Sequence, residues 1–166
     1  MRLFSTERLH IRKITLKDAT CLYELMNDKD WIQNIGDRGV HSIADAEEYI
    51  TNKFLRSYKE SSIGFYALTL KSTQNFIGIA GLIDRDGLDF VDIGFGLLPK
   101  YRGLGYAFEA TKAIYDHGLI NLELEKIIAI VDPDNDRSIS ILKKLGLSLE
   151  KMIQLPDENK KIMLFS

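Results

Sequence analysis

Ile93-Gly94-Phe95-Gly96-Leu97-Leu98-Pro99-Lys100-Tyr101-Arg102-Gly103-Leu104-Gly105-Tyr106-Ala107-Phe108-Glu109-Ala110 is the stretch that decides how this chain folds. A strand runs into a loop holding Gly103 and Gly105, and the loop opens a helix whose first amides have no intrahelical partner. Those donors and the positive end of the helix dipole make a cradle for a phosphate or pyrophosphate. Glycines let such a ligand approach the backbone, and Arg102 adds charge. Spacing separates the phosphate motifs. A P-loop needs Lys-Ser/Thr after its last glycine, but Tyr106-Ala107 follow Gly105. A dinucleotide fingerprint needs Gly or Ala where Phe108 stands. What remains is Arg-x-x-Gly-x-Ala at Arg102, Gly105 and Ala107.

On the N-terminal side, Leu9, Ile11 and Ile14 lie in a short strand. Thr15-Leu16-Lys17-Asp18 starts a helix that carries Leu22, Leu25 and Met26 at helical spacing. Ser42 and Asp45 resemble a capping box with a shorter acid, and Ala46, Tyr49, Ile50 and Phe54 predict a helix near 43–57. Ile63–Leu70, Phe76–Ile83 and Leu88–Leu97 read as three antiparallel strands, since only hairpin-sized turns separate them. Beyond the quoted loop, Ala107, Ala110, Ala113, Ile114 and His117 predict a helix ending at Gly118. Glu125–Val131 is a strand, and Asp132-Pro133-Asp134-Asn135 is a turn. Ile139, Leu142 and Leu145 follow on a short helix stopped by Gly146. Leu147–Ile153 and Lys161–Phe165 are the last strands. The order βααβββαβαββ predicts an α/β (α+β) fold with a mixed, mostly antiparallel sheet of about seven strands flanked by four helices.

The 166 residues suit one domain over 1–166, and 45% apolar with 28% charged residues is ordinary for a chain with a packed core. A formal charge of −2 disfavours binding to nucleic-acid backbones. Cys21 is the single cysteine and His10, His41 and His117 are scattered, so neither a disulfide nor a metal site is expected. The start Met-Arg-Leu-Phe-Ser-Thr-Glu-Arg has no signal-peptide character, and no apolar run is long enough for a membrane span. The chain is expected to be cytoplasmic, with no membrane partner.

The quoted loop resembles the coenzyme A pyrophosphate loop of the GCN5-related N-acetyltransferase (GNAT) superfamily, and the likeness extends over nearly the whole chain. Thr6-Glu7-Arg8-Leu9-His10-Ile11-Arg12, Asp92-Ile93-Gly94-Phe95, Pro99-x-Tyr101 and Gly105-Tyr106-Ala107-x-Glu109-Ala110 are similar to its RimJ/RimL-like ribosomal-protein alanine N-acetyltransferase branch. So is the run from Asn135 and Ser138 to Leu142-Lys143-Lys144-Leu145-Gly146-Leu147. The resemblance implies a GNAT fold splayed between its fourth and fifth strands and direct acetyl transfer from acetyl-CoA to a primary amine, without a metal. It also implies that the backbone of Phe95, Gly96 and Leu97 holds the pantetheine arm and thioester. Arg102, Gly103, Leu104, Gly105, Tyr106 and Ala107 would hold the pyrophosphate, and Asn135 would contact the pantetheine side. Ser138 would lie near the coenzyme sulfur, and Asp92 is the candidate base. The stretch with Trp31, Asn34 and Arg38 would border the acceptor pocket.

Two positions depart from the family pattern. Leu142 stands where many members carry a tyrosine acid, so that role passes to Ser138, to water or to nothing. Leu147 replaces a usual Phe, a packing change. Plainer roles compete with the functional ones: Asn135 also suits an Asx turn or a helix cap, Asp92 an ion pair, Trp31 a core cap, and Cys21 a small core position. The acceptor is a protein N-terminus or a small amine such as an amino acid, polyamine or antibiotic. The rival function is a non-catalytic acyl-CoA-binding or sensing module on the same fold. The assembly is a monomer or a homodimer.

Overall fold

Short alternating segments build most of the sheet. The computed structural model describes residues 2–156 and 159–166. A hairpin closed by the Thr6 N–H donating to the Leu9 carbonyl (3.0 Å) pairs β1 (Arg2–Ser5) with β2 (Leu9–Lys13). The antiparallel run continues through β3 (Phe65–Leu70), β4 (Phe76–Ile83) and β5 (Val91–Leu97). The remaining strands are β6 (Ile127–Val131), β7 (Leu149–Ile153) and β8 (Ile162–Phe165). The eight-stranded order is β1-β2-β3-β4-β5-β6-β8-β7. Here β5 and β6 run parallel, and the other neighbours are antiparallel. The mixed sheet expected from the sequence is present, with β1 added at one edge, a strand too short to signal itself by periodicity.

Helices cover both faces. On one side lie α1 (Ala19–Met26), α2 (Lys29–Asn34), α3 (Ile43–Tyr49), a π-helical stretch Ile50–Leu55, and α4 (Arg56–Glu60). They bury Leu22, Leu25, Trp31, Ala46, Ile50 and Phe54 against Ala67 and Ile79 of the sheet. On the other side α5 (Tyr106–Ile120) and α6 (Asp136–Lys144) pack Ala110, Ile114 and Leu142 against Leu9, Ile11, Leu68, Leu82 and Ile93. Each fully buried Leu or Ile in these two cores contributes roughly 1.5–3 kcal/mol of transfer free energy.

Three details differ from the sequence reading. Six residues after Asp28, too few for clear periodicity, form α2, started by the Asp28 carboxylate accepting from the Asp30 and Trp31 amides. The helix expected near 43–57 runs on to Glu60 through its π-helical stretch. Gly118 does not end α5. It lies inside the helix, where a Cβ would come within 2.6 Å of Ile127 Cδ1 and 2.9 Å of Leu82 Cδ1. Its missing side chain serves close helix-to-sheet packing.

Candidate active site

The loop after β5 meets the geometric needs of an anion cradle. Gly103 and Gly105 adopt φ of +74° and +83°, left-handed conformations that strain any residue with a Cβ. Gly105 is the N-cap of α5, and no acceptor among the described residues takes the amides of Gly103, Leu104, Gly105, Tyr106 or Ala107. The cradle is braced from beneath by Arg8, which donates from its guanidinium to the Leu104 carbonyl (2.9 Å) and to Glu109 (2.6 Å) and lies 4.4 Å from the centre of the Tyr106 ring. Glu109 also accepts from the Thr6 hydroxyl and the Arg8 amide. Burial alone would raise the Glu109 carboxyl, but these donors outweigh it and hold the group below its ordinary value.

Arg102 sits differently from the expectation that it charges the cradle. Its Nε–H donates to the Leu97 carbonyl (2.9 Å), one terminal nitrogen donates to Asp30 (2.8 Å), and the other pairs with Asp28. The acids that start α2 therefore draw the guanidinium away from the loop, and the side chain ties α2 to the end of β5. Its own amide donates to Pro99. The cation beside the loop is Arg8. The sequence signal for it was present, since Arg8 and Glu109 both lie in the quoted motifs, but nothing in their spacing showed that they meet.

Beyond the loop, the sheet opens. The β5–β6 ladder consists of Val91 with Ile127 and Asp92 with Ile128, after which the strands part. A cavity of about 680 Å³ occupies the split and its flank. It brings together Asp92, Phe95, Asn135, Ser138, Trp31, Asn34 and Arg38, all singled out in the sequence. Gly96, Leu97 and the loop 102–107 are outside its lining. Gly96 has a packing role, because a Cβ there would meet the Trp31 ring at 2.7 Å. Trp31 is both core and wall: it is 6% exposed, and its Nε1–H has no partner among the described residues.

Asp92 stands where the ladder ends and is 1% exposed. One carboxylate oxygen accepts from Arg85 Nε and Nη2 (3.1 and 3.0 Å), and the other accepts from the Ile130 amide (3.3 Å) across the opening. Burial pushes its pKa up to about 6, against the pull of Arg85. A carboxyl with that value exchanges a proton near neutrality. The ion-pair role is thus real, and burial rather than Arg85 sets the direction of the shift.

At the start of α6, Asn135 caps the helix by accepting from the Ser138 amide (3.2 Å). That is the plainer role foreseen for it, and the side chain still lines the cavity. The Ser138 hydroxyl has no partner among the described residues, and Leu142, one turn further, is buried on the same wall. The sequence reading missed Tyr49, Lys53 and Arg85, which also line the cavity. Tyr49 and Lys53 come from α3 and the π-helical stretch, and Arg85 from the turn before β5, segments with no local motif. Cys21 is half-buried beside the first core. Among the described residues no cluster of metal-binding side chains occurs, and no helix is long and apolar enough to cross a membrane.

Known proteins resemble the chain in sequence and in fold. An uncharacterized N-acetyltransferase, YnaD of Bacillus subtilis, is 30% identical over 146 residues, covering 88% of this chain and 82% of its own. The crystal structure of a GNAT-family acetyltransferase from Bacillus anthracis superimposes with a TM-score of 0.81 at 25% identity, covering 97% of this chain and 95% of that one. RimL, a ribosomal L7/L12 alpha-N-protein acetyltransferase solved with coenzyme A, shares the fold with a TM-score of 0.82 at 14% identity, covering 99% and 96%. The family model described as an acetyltransferase (GNAT) domain matches residues 8–148, and with that span the chain belongs to the GNAT acetyltransferase family and is an N-acetyltransferase.

Proposed function

We propose that the enzyme transfers the acetyl group of acetyl-CoA directly to a primary amine, a protein N-terminus or a small molecule, within the split between β5 and β6. The observation that carries this reading is the placement of Asp92 and Ser138 on one cavity at the point where the ladder stops. Open amides at Gly103–Ala107 suit the pyrophosphate, and a Cβ at the left-handed Gly105 would crowd the Arg8 guanidinium at 3.2 Å. The unpaired edge of β5 at Phe95 suits the pantetheine arm, although the Leu97 carbonyl is already engaged by Arg102. The Asn135 amide group, its oxygen committed to the cap, has its nitrogen left to donate.

Acetyl-CoA supplies an activated thioester. The protein supplies position and proton management. Asp92 accepts a proton from the acceptor ammonium, leaving a nitrogen lone pair free to form the new C–N bond. As the C–S bond breaks, the nitrogen sheds its second proton to solvent, and the Ser138 hydroxyl donates a hydrogen bond to the departing sulfur, which takes up a proton from solvent. Leu142 removes the tyrosine alternative at its position. Trp31, Asn34 and Arg38 border the acceptor. An amine panel decides between a protein N-terminus and a small amine as acceptor. The test is release of free thiol from acetyl-CoA with that panel, alongside heat protection by acetyl-CoA. A ligand that binds only the folded state must raise Tm. Absence of both signals at millimolar acetyl-CoA overturns the reading.

A further inference from the structure

The charged groups on the cavity wall are unequally satisfied. Among the carboxylates, Asp92 pairs with Arg85 at 3.0 Å, Asp132 pairs with Lys160, and Asp37 lies 3.3 Å from the His41 ring nitrogen. Among the lining cations, Arg85 alone has a carboxylate partner among the described residues. Arg38 donates only to the Ile35 carbonyl (3.1 Å), and Lys53 has no partner among the described residues. These two come from separate elements, the loop after α2 and the π-helical stretch, and both line the same cavity beside Tyr49. Burial raises the Tyr49 hydroxyl, while the positive charges of Arg38 and Arg85 act on it in the opposite direction, which places both guanidinium groups in its neighbourhood.

From this imbalance we infer that the acceptor is a primary amine carrying an anion, such as a carboxylate, on the part directed at Arg38 and Lys53. The inference rests on the acetyltransferase reading above and deepens it. A polyamine would bring a second ammonium to a wall where, among the described residues, Asp92 and Asp132 already pair with cations and only Asp37 does not pair with Arg or Lys, and it would be repelled by Arg38 and Lys53. Among the described residues, an anion finds two cations, Arg38 and Lys53, against the single carboxylate of Asp37. The acceptor amine then faces Asp92, the carboxylate whose pKa suits it to take the proton. The same chemistry has two sources: a free amino carboxylate, or a peptide N-terminus followed by an acidic residue.

The experiment compares acceptors that differ in the charge of the distal group alone. One arm uses 4-aminobutanoate, 4-aminobutanamide and 1,4-diaminobutane. The other uses C-terminally amidated peptides beginning Ser-Glu, Ser-Gln or Ser-Lys. In the arm that holds the natural source, kcat/KM for the anionic member is expected to exceed that of the neutral one by about tenfold and that of the cationic one by more. The arm with the higher rates identifies the source. Arg38→Glu with Lys53→Glu, both at exposed positions, should reverse the order of anionic and cationic members. Equal rates within both arms, a preference for the cationic members, or an order unchanged in the double variant overturns the inference. Heat protection by acetyl-CoA is read in parallel: its retention with a failed charge preference rejects the anionic acceptor alone, and its loss rejects the acetyltransferase reading as well.

Discussion

The loop Gly103–Ala107 offers a ligand its backbone, and the charged side chains nearest it, Arg8 and Glu109, which brace it, and Arg102, which turns away to α2, are already engaged with protein partners. The wall around Arg38 and Lys53 does the reverse, presenting side chains whose charges are unmatched. A backbone cradle recognises a group that never varies, so its fittings can be fixed. A side-chain wall can be changed one residue at a time, which suits the half of a reaction where partners differ between relatives.

Asp92 lines the same cavity as Arg38 and Lys53, and its removal gives the largest expected effect. Asp92→Asn should lower kcat/KM about 100-fold near pH 7, on the order of 2.7 kcal/mol, with recovery as rising pH deprotonates the amine in solution. Stability has the opposite sign. The folded protein keeps the Asp92 proton up to about pH 6, whereas the unfolded chain releases it near 4, so this group costs the fold about 3 kcal/mol as pH rises through that window. Urea titrations at several pH values should show that slope in the wild type and a shallower one in Asp92→Asn. A profile identical in the two proteins would remove Asp92 from both roles.

Arg102→Ala sharpens the contrast between brace and ligand contact. If the side chain ties α2 to β5, its loss leaves Asp28 without its main partner and lowers unfolding free energy by roughly 2 kcal/mol, a value discounted for partial exposure. A variant as stable as wild type that binds acetyl-CoA weakly would restore the role expected from sequence. Ser138→Ala should reduce kcat about tenfold, near 1.4 kcal/mol, and leave acetyl-CoA affinity nearly unchanged. Calorimetry on the variant checks the second half. The smallest effect belongs to Arg8→Gln. Losing the bonds to Leu104 and Glu109 should raise the KM for acetyl-CoA several-fold, about 1 kcal/mol, with kcat held.

The same division explains what the sequence disclosed. Gly105 and Ala107 sit a fixed distance after a strand, and a glycine turn into a helix is a local feature, so the path of the loop was legible from one segment. The strands from Phe65 to Leu97 declared themselves by β-rich runs between short turns. Arg102 misled because its partners, Asp28 and Asp30, lie more than 70 positions away, and charge in a loop says nothing about which acid will claim it. Lys53 and Arg85 were invisible for a related reason: a charged residue on a helix or turn reads as solvated surface until a cavity forms beside it. Gly118 looked like a helix stop because glycine is common there. Its actual use, contact with Ile127 and Leu82, depends on how closely α5 approaches the sheet.

The parted strands also have a mechanical meaning. A continuous ladder makes a sheet stiff in shear, because sliding one strand past the next breaks every bond at once. Between β5 and β6 that resistance is concentrated in the pairs Val91–Ile127 and Asp92–Ile128, with the Asp92 carboxylate adding a rivet to the Ile130 amide. The sheet therefore behaves as two plates, β1–β5 and β6-β8-β7, joined by a short seam. A load that tries to spread the plates falls first on that rivet, so the residue assigned to proton transfer is also the one that feels the cleft being wedged open.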